Sequence, residues 1–412
     1  MSHYLFKNAA VFDPVEKSLL ENFNVLIENK KIKEVSDKPI LTRSGQTFDL
    51  NGKTLMPGLI DAHVHLKATR VNIKELGEIP TSYLTAEAQK IMLSMLMRGF
   101  TSVRDAGGSD KGMAAAIEDK LWLGPRLFVS GLALSQTGGH GDLRSVNSTS
   151  QVITCACQAS LSQLARIADG IDECRRAARD ELRKGADQIK IMAGGGVASP
   201  SDPIHNTQYS VEEIKAICQE AKAANKYVMA HAYIPGAIIR AVQNGVRTIE
   251  HGNLLNLEAA KVMKAHDAFL VPTNVTYRAL HKHGKEFGFP KISIDKLKEV
   301  LDVGLRSLEI AQSVGVKIGH GSDLLGECHK YQSDEFTIKA EVLGNHETIR
   351  QATIVNAEIL GKSEKLGIIK PEAIADIIVV DGDPIADISL LQGQGENIPL
   401  IMKDGIIYKN RL

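Results

Sequence analysis

Residues 185–203 read GADQIKIMAGGGVASPSDP. The first half, Ile189 to Ala193, has the length and composition of a buried strand, and it runs into three glycines. Lys190 sits inside that run. A buried ammonium is costly, and no acid beside it in sequence obviously pairs with it. Glycines after a strand can open a phosphate-binding loop, but no Gly-Lys-Ser/Thr completes one here. Either Lys190 escapes burial, by snorkelling or by pairing with an acid such as Asp187, or it has a chemical task.

The surrounding chain shows what kind of strand this is. From Gly58 onward, short apolar runs alternate with helical segments of about a dozen residues or more, the rhythm of a parallel sheet with crossover helices. The runs are 59–66, 101–107, 126–135, 188–193, 227–232, 247–252, 268–273 and 316–323. One intervening helix, SVEEIKAICQEAKAAN, opens on a capping box of Ser210 and Glu213. Eight strand–helix repeats fit a closed (β/α)8 TIM-like barrel better than an open doubly wound sheet, and no G-x-G-x-x-G follows the first strand.

Both ends of the chain read differently. Period-two patterns fill YLFKNAAVF, FNVLIENKKIKEV and TFDLNGKTLMP, with turn signals at Glu28-Asn29 and Asn51-Gly52. After the helix HETIRQATIVNAEILG the strand pattern returns in GIIKPEAIADIIVVDGDP and IPLIMKDGIIYKN. The expected organisation is a small β-sandwich domain built from 1–57 plus 364–412, with the α/β barrel, 58–363, inserted between.

Composition narrows the partners. The 412 residues are 43% hydrophobic, with 49 acidic and 49 basic side chains. That balance gives no electrostatic reason to expect nucleic acid or an anionic membrane. Five cysteines, Cys155, Cys157, Cys174, Cys218 and Cys328, are too few and odd in number for a disulfide framework and suggest a reducing compartment. The Cys155–Cys157 pair reads as two small thiols, because no second Cys/His pair follows nearby. No signal-peptide pattern opens the chain and no run of 18 apolar residues occurs, so the expectation is a soluble, cytoplasmic protein.

In a barrel of this kind the functional side chains gather where strands end and βα loops begin. Strand one ends His63-Val64-His65, and residues two apart share a face, so both imidazoles can reach one metal. Strand five ends at His231, strand six at His251 and strand eight at Asp323. Singly, each has an ordinary explanation; a metal site accounts for all five together. A pair of zinc ions about 3.5–4 Å apart would also explain Lys190. Two dications at that distance repel by about 18 kcal/mol at an effective dielectric of 20, and an ammonium would add to the repulsion. A neutral amine can instead take up carbon dioxide and become an anionic carbamate that bridges both metals.

PGLIDAHVH, IKIMAGGG, VMAHAY, IEHG and GHGSD, in that order, resemble the motifs of the amidohydrolase superfamily. ADIIVVDGDP is similar to the returning strands of its small β domain, although Pro371-Glu372-Ala373 stand where a glycine is common. VRDAGG, LFVSGLALSQTGGHGD, KIMAGGGVASP and GSDLLGE resemble the imidazolonepropionase-related zinc dipeptidases, and among them the prolidases, which cleave Xaa-Pro dipeptides.

The resemblance implies that His63, His65 and Asp323 hold one zinc, His231 and His251 the other, and that carbamylated Lys190 (N6-carboxylysine) bridges them. It implies a hydroxide shared by the metals as nucleophile, with Asp323 moving its proton to the leaving nitrogen. Carbonyl oxygen or carboxylate of the substrate would be met by His140, Tyr233 and Tyr277. Homo-oligomers are common in the family. Related enzymes release C-terminal Arg or Lys, and a cyclic-amide hydrolase would use the same two metals. A mononuclear deaminase is disfavoured because no glutamate follows three residues after His231. A metal-stabilised scaffold is disfavoured by a ligand set that leaves room for hydroxide. Arg104 and Asp105, at the end of strand two, are expected to pair with each other.

Overall fold

The computed structural model describes residues 3–16, 18–42, 45–145, 147, 163–199 and 202–412. Cys155 and Cys157 lie outside these. The fold is mixed α/β, built on parallel (β/α) units. One parallel sheet holds Leu59–Val64, Phe100–Asp105 and Arg126–Phe128. The other holds, in spatial order, Ala165–Ile167, Ala133–Ser135, Ile189–Met192, Val228–Ala232, Thr248–His251, Phe269–Val271 and Lys317–Ile318. Every expected strand position is therefore occupied.

Three details differ from expectation. The third run is not one strand: it breaks at Val129–Leu132, where Gly131 takes φ +69°, and its halves belong to different sheets. Ala165–Ile167 adds a strand in a stretch that shows no readable pattern. The last strand is only two residues long, so Asp323 stands in irregular chain beyond it.

Backbone hydrogen bonds cross both gaps between the two sheets. Asp187 N donates to Val129 O at 2.7 Å, and Ala62 N donates to His320 O at 2.8 Å. Asn356 reinforces the second crossing, since its Nδ2 donates to Ile60 O and His320 O while its Oδ1 accepts from His320 N. Asn356 lies in the helical stretch expected over 346–361, which contains a π turn at Gln351–Val355. The helix Val211–Ala223 carries the expected Ser210–Glu213 capping box.

Both chain ends meet in one eight-stranded sheet. Its order is Ile406–Asn410, Leu400–Lys403, Ile377–Val380, Thr54–Pro57, His3–Phe12, Leu19–Glu28 and Lys31–Ser36, with Gln46–Asp49 paired to His3–Phe12. Asn29 and Asn51 both adopt left-handed φ, as their turn positions require. Glu372 does so too, at φ +69°, in the segment where a glycine is common. Its carboxylate is anchored 2.6 Å from Lys31 Nζ.

Period-two alternation divides this sheet between two cores. Ile377, Val379, Leu400, Met402 and Leu55 face a core with Phe6, Val25 and Ile27. Ile378, Val380, Ile401 and Met56 face the other way, against Met92, Met95 and Leu96 of the helix Thr81–Met97. The apolar run IIVV thus glues the terminal sheet to the α/β part. Ile378→Ala should cost about 2–5 kcal/mol, from lost burial plus a residual cavity. Leu41→Ala, at a 96% exposed site, should stay within about 0.5 kcal/mol. Denaturant unfolding of both variants checks this.

Candidate metal centre

The candidate ligands converge at one end of the parallel strands. His63 and His65 come from Leu59–Val64 and the residue after it, Lys190 from Ile189–Met192, His231 from Val228–Ala232 and His251 from Thr248–His251. Imidazole centroids are 5.3 Å apart for His63–His65, 4.9 Å for His63–His251 and 4.6 Å for His231–His251. Asp323 Oδ1 lies 3.4 Å from Nε2 of both His63 and His65. Its position comes from pairing with the first strand, because Asp323 N donates to His63 O at 2.8 Å. The tightest triad is His63, His251 and Asp323, whose ligand atoms all lie within 4.8 Å of one another. His251 thus stands nearly as close to His63 as it does to His231.

Backbone strain helps to build the cluster. His251 and Asp323 take φ of +73° and +51°, a region that side chains other than Gly, Asn and Asp rarely adopt. In a regular strand neighbouring side chains face opposite ways. The left-handed residue lets both Glu250 and His251 face inward.

Hydrogen bonds at the far ring nitrogens determine which nitrogen each imidazole offers. His65 Nδ1 meets Gly107 O at 3.1 Å, and His231 Nε2 meets Gly195 O at 3.0 Å. A carbonyl can only accept, so both of these nitrogens carry the proton and the opposite ones keep the lone pair. His63 Nδ1 lies 2.7 Å from Glu250 Oε2. Burial works against ionisation of Glu250, but Arg104 and His63 outweigh it and the pKa falls to about 2, so this carboxylate also only accepts. His251 Nδ1 is 2.8 Å from Thr273 Oγ1.

His63 Nε2 is buried and makes no hydrogen bond. An orphaned ring nitrogen facing a carboxylate and three more imidazoles is the donor set of a metal cation. Burial drives the pKa values of His65, His231 and His251 down, which favours the neutral, metal-binding form. At His63 burial and Lys190 also push down, but Asp323 and Glu250 prevail and raise it.

Lys190 is 1% exposed, and its side chain makes no hydrogen bond or ion pair among the described residues. Asp187 is not its partner; it faces Lys226 Nζ at 3.6 Å and accepts from Val129 N. Burial lowers the Lys190 pKa to about 8, against the pull of Glu250 and Asp323. The shift enlarges the unprotonated minority near neutral pH, the form that carbamate formation requires, well beyond that of an ordinary lysine.

An apolar pocket opens over the cluster, walled by Ile73, Leu143, Leu164, Met192, Val197, Leu280 and Leu325. His140, Tyr233 and Tyr277 also line it. The His140 ring stacks on His231 with centroids 4.2 Å apart, and its Nδ1 lies 2.8 Å from Ser199 Oγ, which donates in turn to Asp202. Tyr277 Oη donates to Tyr233 Oη at 3.0 Å. Arg278, next to Tyr277, is not among the lining residues and pairs with Glu341.

Arg104 and Asp105 do not pair with each other. Arg104 points to Glu250, whereas Asp105 accepts from Leu66 N, Gly107 N and Ser109. Glu250, Ser199 and Asp202 are the polar groups that sequence reasoning missed. Glu250 immediately precedes His251, but sequence proximity did not identify His63 as its partner.

The glycines after Lys190 serve close approach. A Cβ on Gly195 would lie 1.8 Å from Pro203 O, and one on Gly196 would lie 2.0 Å from His140 Cε1. Gly196→Ala should therefore push the His140 ring off His231 and destabilise the protein by about 1–3 kcal/mol. The histidine Cε1–H chemical shifts together with thermal unfolding check both effects.

The amidohydrolase family profile matches residues 54–407. Ochratoxinase of Aspergillus niger is 30% identical over 365 residues, covering 86% of this chain and 75% of that protein. Among solved structures, one amidohydrolase is 52% identical with a TM-score of 0.98, covering 100% of both chains. A prolidase complexed with N-methylphosphonate-L-proline is 50% identical with a TM-score of 0.97, again covering 100% of both. A Xaa-Pro dipeptidase with bound methionine is 28% identical with a TM-score of 0.89, over 99% of this chain and 100% of that one.

Proposed function

The chain belongs to the amidohydrolase family and is a hydrolase of C–N amide bonds, and we propose that it is a binuclear zinc dipeptidase that cleaves Xaa-Pro dipeptides. The observation that carries this reading is the convergence of four imidazoles, one with an orphaned ring nitrogen, with Asp323 and the unpaired Lys190 side chain beneath an apolar pocket. In this reading both parallel sheets form one closed (β/α)8 barrel, residues 58–363. Segments 1–57 and 364–412 make up the small β domain.

His63, His65, His231, His251 and Asp323 would hold two zinc ions, bridged by the carbamate of Lys190. When bound, the metals supply a hydroxide nucleophile near neutral pH and polarise the scissile carbonyl. Asp323 takes the nucleophile's proton and returns it to the leaving nitrogen, which an amide needs because unprotonated nitrogen leaves poorly. Burial opposes its ionisation, but His63, His65 and Lys190 hold the carboxyl below the ordinary range, so it is ionised at neutral pH and has the proton site vacant. His140 hydrogen-bonds the carbonyl oxygen as charge develops there. Tyr233 and Tyr277 bind the substrate carboxylate through their hydroxyls.

The pocket wall favours proline over a basic C-terminal residue. Asp323 is the only acid among the described residues lining it. Arginine or lysine would be left without a counter-charge. The similarity to an ochratoxinase supports a second reading, hydrolysis of another amide on the same site.

Zinc-loaded protein in bicarbonate, given a dipeptide panel that varies the C-terminal residue, should release proline and its close analogues and little else. Release of arginine or lysine would keep the chemistry and overturn the substrate. Cleavage of non-dipeptide amides alone would favour the second reading. Lys190→Met should retain the fold by circular dichroism yet bind at most one zinc per chain by elemental analysis, since nothing then bridges the pair.

A further inference from the structure

Glu250 is 0% exposed and does not line the pocket, so it touches no substrate. Its oxygens nevertheless collect a dense set of bonds. Oε1 accepts from Arg104 Nη2 at 2.9 Å and from Thr248 Oγ1 at 2.5 Å, and Oε2 accepts from Arg104 Nη2 at 3.0 Å and from His63 Nδ1 at 2.7 Å. Arg104, also 0% exposed, is seated in turn by Ala62 O at 2.6 Å, Thr248 Oγ1 at 3.1 Å and Tyr227 Oη at 3.4 Å. Three strands, Leu59–Val64, Phe100–Asp105 and Thr248–His251, are joined by this one ion pair.

Stability alone is a poor reason to keep such a pair. Desolvating both charges offsets most of their attraction, and well-packed neutral side chains do as well or better. What neutral side chains cannot do is accept the His63 Nδ1–H with full negative charge. That bond excludes the other tautomer and turns the bare, buried Nε2 toward Asp323.

We propose that Glu250 is a positioning residue: seated by Arg104 and Thr248, it locks His63 in the Nδ1–H form and so sets the direction and basicity of Nε2 as a metal ligand. The proposal rests on the metal reading above and deepens it. A carboxylate behind a ligating histidine raises the basicity of the ligand and fixes the ring plane, and losing it lowers metal affinity about 10–100-fold.

The test compares wild type, Glu250→Gln and the charge-neutral double variant R104M/E250Q. Two readouts are independent of substrate: the far-downfield imidazole N–H proton of 15N-histidine-labelled apoprotein, and zinc affinity by competition with a chromophoric chelator. Wild type should show an exchange-protected downfield resonance that is lost or moved upfield in both variants, with zinc affinity about 10–100-fold weaker. Glu250→Gln strands the Arg104 charge and should melt at lower temperature, while the double variant should recover much of that loss without recovering zinc affinity. A double variant that regains both, or a Glu250→Gln protein that keeps its resonance and binds zinc within twofold of wild type, would overturn the proposal. If wild type itself binds no zinc, the metal reading fails, and the apoprotein resonance still decides whether Glu250 holds the His63 proton.

Discussion

The crossing between the first parallel strand and the chain after the last one is the constraint on which the site depends. Ala62 N donates to His320 O, and both Ser322 N and Asp323 N donate to His63 O. Asp61 adds a side-chain tie, accepting from Ser322 Oγ at 2.6 Å and from Gln332 Nε2 at 2.8 Å. The last strand is only two residues long, so it cannot carry Asp323 into place by itself. Backbone pairing to His63 does so, and the carboxylate arrives 3.4 Å from two ring nitrogens. The geometry of the candidate ligands and this junction between the two sheets therefore rest on the same set of bonds.

Concentrating these groups has an energetic cost that the surrounding structure offsets. Two candidate ligands sit in left-handed backbone, each such residue costing on the order of 1–3 kcal/mol. Four imidazoles, two carboxylates and two basic side chains share one buried region. Their far-side partners are mostly backbone carbonyls and Glu250, which fix tautomers without adding free charge to the pocket. The candidate ligands are thereby held in place by rigid elements and fixed partners, the arrangement that a preorganised metal site requires.

Much of this was legible from the sequence, for definite reasons. Strand positions followed from apolar runs between helical patterns, and the clustering of these side chains followed from histidines and an aspartate recurring at run ends. The small terminal sheet followed from period-two alternation, which also predicts that Ile377 and Ile378 serve different cores. What was missed depends on partners across the interior. Alternation tells which face Arg104 takes, but only the strand arrangement shows that Glu250, and not the adjacent Asp105, lies opposite. The break at Gly131 was missed because an apolar run reads the same whether it stays in one sheet or changes sheet. Asp187 was a natural suspect for Lys190 by sequence proximity; the fold gives it to Lys226 and leaves Lys190 alone.

Chemistry and selectivity are supported by different parts of the chain. The candidate histidine ligands and Lys190 belong to the strands or the residue that follows one, and Asp323 is tied to the first strand, whereas the wall at Val197 and Ala198 belongs to the loop after Lys190. That loop is held from outside the strands. Lys296, in the helix Lys291–Val300, donates to Gly196 O, Ser199 O and Asp202 O at 3.0, 3.0 and 2.6 Å. One ammonium thus fixes the segment whose Ser199 and Asp202 orient His140 and whose Gly195 carbonyl orients His231. Loops fixed this way can change shape between relatives while the strand-borne ligands stay put. An ochratoxinase and a prolidase can then be relatives of one chain, because amide hydrolysis is anchored in the strands and the choice of amide is anchored in the loops.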